Sequence, residues 1–106
     1  MSTSQEFTSY ISPQTTAVNA VVNTSKIQLP NCISVVGILG SSEVISIQIP
    51  TVPSPNVAID ANWQNFYQDS AEITITSTNH AIAVPVGLII RIVKPVTANN
   101  VGVRWS

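Results

Sequence analysis

The sequence predicts a single all-β domain, an antiparallel β-sandwich or small barrel of about eight short strands preceded by a polar N-terminal arm. Three observations lead there. Ile, Val and Thr dominate, and their branching at Cβ favours the pleated strand over the helix. Apolar and polar residues alternate with period two in several segments, and no window of helical length shows a clean helical period. Gly, Pro, Asn and Ser cluster between the alternating runs, where tight turns need them.

The elements follow in order. Residues 1–12 read as the arm and 13–106 as the domain, with Pro13 fixing the backbone at the junction. Thr15–Asn23 and Lys26–Leu29 read as strands, and Cys32–Leu39 as a third. Gly40-Ser41-Ser42 then joins it in a short hairpin to Glu43–Ile49, where Ile45, Ile47 and Ile49 share a face opposite Ser46 and Gln48. The proline-rich stretch Pro50–Asn56 cannot lie in a central strand and reads as a rigid crossover between two sheets. A four-strand meander is expected beyond it: Trp63–Gln68, Glu72–Thr76, His80–Val84 and Leu88–Lys94, turned at Gln68–Ala71, Ser77–Asn79 and Pro85–Gly87. Val101, Val103 and Trp105 form the last strand.

Charge is scarce. Only 8% of the 106 residues are ionisable, against roughly 25% in an ordinary soluble domain. The mean hydropathy is +0.31, the net charge is −1 and the pI is about 5.5, so nothing draws the chain electrostatically to nucleic acid or an anionic membrane. No apolar run is long enough to span a bilayer. The first six residues lack the basic start and apolar run of a signal peptide, and the one cysteine, Cys32, excludes an internal disulfide; both fit synthesis in a reducing cytoplasm. Ile33–Leu39 and Leu88–Val93 are apolar on both faces, whereas a small antiparallel sheet normally wets one. Their second faces supply Val36, Ile38, Ile89 and Val93 as interface candidates. Phe7 and Tyr10, aromatics in the polar arm, join them as anchors on a neighbouring subunit.

Catalytic chemistry finds little support. His80 is the only histidine and no nucleophile-elbow motif surrounds any serine. Asp69 and Glu72 flank one turn and form a carboxylate pair by proximity alone, and five acids scattered over loops and strand ends supply one such pair by chance. The expectation is a non-enzyme with no catalytic residue, cofactor or metal. Arg91, Lys94 and Arg104 with Trp105 are too few for a single-strand platform, which needs several bases and stacking aromatics. Asn23-Thr24-Ser25 matches a glycosylation sequon by chance. Trp63, Phe66 and Tyr67 suit either a core or a sugar-stacking platform; Trp63 and Tyr67 share one strand face and Phe66 the other, and core packing of Trp63 is the expected outcome.

The segment Trp63-Gln64-Asn65-Phe66-Tyr67-Gln68-Asp69, then Ile73-Thr74-Ile75-Thr76 and Asn79, then Arg91-Ile92-Val93-Lys94-Pro95 and Val101-Gly102-Val103, resembles small virion proteins of tailed bacteriophages. The resemblance covers the C-terminal portion and lies in composition and rhythm; Ser70 departs from it by standing where glycine is expected. It implies a capsid decoration (cement) protein on the virion surface, a homo-oligomer, trimeric by preference, whose partner is the major capsid protein or another virion protein. A tail or head–tail component and a carbohydrate-binding module are the alternatives. The resemblance carries over no functional residue.

Overall fold

The computed structural model describes residues 9–23, 32–84 and 89–105. The fold is all-β. Four strands form one antiparallel sheet: β1 (Ser9–Gln14), β11 (Val101–Trp105), β3 (Cys32–Val36) and β9 (Ala81–Ala83), in the order β1-β11-β3-β9. A second sheet runs β2 (Val18–Asn23), β10 (Ile89–Lys94), β4 (Ile45–Pro50) and β5 (Trp63–Asn65), with β8 (Thr74–Ile75) also paired to β4. A small ribbon, β6 (Tyr67–Gln68) with β7 (Ala71–Glu72), stands apart from both.

Period-two alternation explains which side chains are buried. From the first sheet, Ile11, Ile33, Val101, Val103 and Trp105 point inward; from the second, Val22, Ile45, Ile47, Ile75, Ile90 and Ile92 do the same, and all belong to one hydrophobic cluster. Phe66, Ile73 and Ile82 pack against its margin. Among the described residues no helix is long and apolar enough to cross a membrane.

Connectivity departs from the expected meander. Glu72–Thr76 and His80–Val84 do not pair as neighbours in one sheet: β8 pairs with β4, β9 pairs with β3, and the two-residue turn closed by Thr76 and Asn79 carries the chain from one sheet to the other. The turn at Gly40–Ser42 likewise joins strands of different sheets, so β3 and β4 form no hairpin. The proline-rich segment makes the opposite move. It leaves β4 and returns to β5, which pairs antiparallel with that same strand, so it folds back over its own sheet and crosses to no other.

Residues 9–12, read as part of the arm, are strand. Ser9, Tyr10 and Ile11 pair with Trp105, Arg104 and Val103, and a register shift between Ile11 and Gln14 accommodates Ser12 and Pro13. A bulge on an edge strand is a place where proline is tolerated. Gly102 makes it possible: a Cβ there would lie 2.3 Å from the Ile11 carbonyl oxygen and 2.9 Å from Pro13 N. At the end of β3, Gly37 has φ of 105°, the left-handed side that favours glycine, and turns the chain away from the sheet. Residues 1–8, the Lys26–Leu29 strand, the Pro85–Gly87 turn and the sequon residues Thr24 and Ser25 lie outside the described residues.

Candidate interaction surfaces

The outward face of the first sheet carries one charged side chain, Arg104, among uncharged ones. One row crosses all four strands: Tyr10, Arg104, Ser34 and Ala81 sit opposite one another in register. Tyr10 is 65% exposed, Arg104 is exposed, and Ile11, its neighbour in β1, takes the inward position. Val36 stands on the same outward face beside Gly102, and Ile38 follows just beyond the strand at 73% exposure. Phe7 lies outside the described residues.

Ile89 and Val93 belong to the opposite side of the molecule. On the outward face of the second sheet, Ile89 and Val21 are exposed and Val93 is half-buried. The interface candidates therefore divide between two outward faces, Tyr10 and Val36 on one and Ile89 and Val93 on the other.

The rest of that second face is covered. Arg91 and Trp63 point outward from β10 and β5, yet both are buried, because the segment from Thr51 to Asn62 lies over them. Arg91 donates from Nε to Gln48 Oε1 at 2.8 Å, and from Nη1 to the Val57 carbonyl at 2.9 Å and to Asp60 Oδ1 at 3.1 Å. Its guanidinium carbon sits 5.5 Å from the Trp63 ring centroid, within cation–π range. Trp63 Nε1 donates to the Asn56 carbonyl at 2.9 Å. The segment is further tied by Thr51 N donating to the Asn62 carbonyl and by Asn56 N donating to Asn62 Oδ1, both at 2.8 Å. Trp63 is thus enclosed as expected, but in a second packing site outside the main hydrophobic cluster.

Lys94 ends the inward series of β10 with no exposed surface. Its ammonium donates to the Thr16 carbonyl at 2.7 Å, the Pro95 carbonyl at 3.0 Å and Thr97 Oγ1 at 3.2 Å. All three donors of a charged amine are used, which is what makes its burial tolerable. Loss of solvation holds its pKa below the usual lysine value, and the Glu43 carboxylate opposes that shift. Glu43 accepts from Gly40 N at 2.7 Å and Ala98 N at 2.9 Å. These two N–H groups, Gly40 first, hold its pKa below the ordinary carboxylate value; Lys94 adds to the lowering and burial works against it. With Arg91 and Lys94 buried, Arg104 is the one exposed lysine or arginine among the described residues.

The Tyr67–Glu72 ribbon is the least foreseeable feature. β5 and β8 pair with successive halves of β4, and Phe66 N donates to the Ile47 carbonyl between them, so they are two pieces of one interrupted strand. Residues 67–72 leave the sheet at Phe66 and rejoin at Ile73, whose N–H donates to the Phe66 carbonyl at 2.8 Å. All six side chains are exposed. Asp69 and Ser70 at the tip have φ of 52° and 68°, a conformation that costs non-glycine residues energy. Tyr67, 57% exposed, stands directly opposite Glu72. The turn expected at Gln68–Ala71 is present; what the local pattern does not announce is that the strands on either side of it leave the sheet between Phe66 and Ile73.

The remaining chemistry-bearing residues are dispersed. His80 is exposed, its Nε2 2.7 Å from the Ser77 carbonyl oxygen; Cys32 is half-buried with a free thiol. Among the described residues no three His, Cys, Asp or Glu gather closely enough to hold a metal ion. No protein-family model, curated protein or solved structure matches this chain.

Proposed function

We propose that this chain is a non-enzymatic virion structural protein, a decoration protein that stabilises a capsid through contacts with its own copies and with the major capsid protein. The strand order carries the reading. Counting β5 and β8 as one interrupted strand, the sheets run first-last-third-sixth and second-seventh-fourth-fifth, the arrangement of a double-sheet jelly roll. That architecture recurs in viral capsid and lectin domains. Because a fold hosts many functions, the surface must discriminate between them. Here both outward faces expose apolar side chains with little charge, which suits surfaces covered in an assembly.

The test is to add purified protein to particles lacking it and to measure their resistance to heat. A rise in the temperature of genome release, saturating at a fixed number of copies per particle, supports the proposal. No binding to heads refutes it; binding to tails alone redirects the reading to a tail component.

Lectin domains share the jelly-roll strand order, and the exposure of Tyr67 favours carbohydrate binding as the second reading, with Tyr67 as the stacking residue in place of the buried Trp63. Glycan binding that disappears in Tyr67→Ala, with stability unchanged, would select it.

A further inference from the structure

We infer that copies of this protein associate head to tail, the Tyr67–Glu72 ribbon of one copy seating on the Tyr10–Arg104 row of the next. The inference deepens the proposed assembly role and rests on it.

The chain has two tyrosines, and both are exposed. Each stands in a cross-strand pair with a charged residue: Tyr10 opposite Arg104, and Tyr67 opposite Glu72. Paired residues project from the same face of their ribbon, so each tyrosine forms one patch with its neighbouring charge. The two patches carry opposite signs. Among the described residues neither charge has an ion-pair partner: the single ion pair there joins Arg91 to Asp60, and Glu43 is engaged by backbone N–H groups. Asp69 at the ribbon tip adds a second exposed acid beside Glu72.

Tyrosine and arginine are favoured anchors in protein interfaces, and oppositely charged partners fix register. The occupant is a second copy because the acidic patch and the basic patch reside on the same chain. They also lie on different elements, Arg104 on the first sheet and the acids on the separate ribbon that interrupts a strand of the second. A contact between different surfaces is heterologous and repeats from copy to copy, closing into a ring when the rotation permits.

A charge swap tests this on the full chain. Arg104→Glu and Glu72→Arg are made singly and together, with melting temperatures confirming that each variant folds. Sedimentation equilibrium reads self-association at low salt. Each single variant is expected to weaken association by about tenfold or more, through like charges set face to face. The double variant is expected to recover it, and added salt should weaken the wild type. A monomeric wild type, single variants that associate like the wild type, or a double variant that fails to recover overturns the contact. Particle binding is measured on the same variants: particles still decorated by an association-deficient single variant keep the decoration role, whereas a wild type that self-associates yet binds no particle refutes that role and leaves the contact standing.

Discussion

Trp63→Ala removes the centre of the packing site beneath the proline-rich segment. The indole is 5% exposed, donates one hydrogen bond to the Asn56 carbonyl and lies under the Arg91 guanidinium. Emptying an enclosed aromatic site costs about 3–5 kcal/mol. Here one wall is a loop that can settle into the space, so the lower end, about 3 kcal/mol, is expected. For a domain of this size that lowers the melting temperature by roughly 12–24 °C. Urea unfolding gives the free energy, and limited proteolysis gives its location. Ile47→Ala, between the two sheets, is the comparator with a similar global cost. Only Trp63→Ala should open residues 52–59 to cleavage under native conditions, because only there does local opening become easier than global unfolding. A loss below about 1 kcal/mol, or cleavage no faster than in the comparator, refutes the assignment of Trp63 as the anchor of this segment.

The ribbon tip offers a stabilising change: Ser70→Gly should add about 0.5–1 kcal/mol in urea unfolding by relieving a left-handed residue, and no gain would mean the tip is unstrained. Gly102→Ala should cost more than about 2 kcal/mol and detach β1, read as faster hydrogen exchange at Tyr10 and Ile11, because the added methyl meets the Ile11 carbonyl. Deleting residues 2–12 should unfold the domain by removing Ile11 from the core, with lost near-ultraviolet circular dichroism as the readout. Glu43 has a folded pKa below its unfolded value of 4.5, so its contribution is full above that pH and disappears as pH falls through the folded value; Glu43→Gln should flatten this part of the acid unfolding curve.

Strand identity was legible because period-two alternation is local. Ile45, Ile47 and Ile90, Ile92 needed only their own neighbours to declare an inward face. Strand partnership was not legible. The Thr76–Asn79 turn has the composition of a hairpin whether its strands stay in one sheet or pass between two, and the difference depends on which faces must be buried together. Arg91 and Lys94 show the same limit: their alternation is correct, yet their burial depends on a distant loop and on carbonyls of Thr16 and Pro95. Tyr10 reads as part of the arm, and its strand pairing follows from the fit of Gly102 under the Ser12–Pro13 bulge, which no local pattern announces. The outward faces carrying Val36, Ile38, Ile89 and Val93 were foreseen as apolar, while their division between opposite sides required the sheet order.

If the protein is a structural part of a virion, as proposed, quantitative mass spectrometry of purified, intact particles from cells expressing the chain should find it at a fixed ratio to the major capsid protein, unchanged by further purification. Particles free of it, prepared from cells in which the protein is abundant, would refute the proposed virion role.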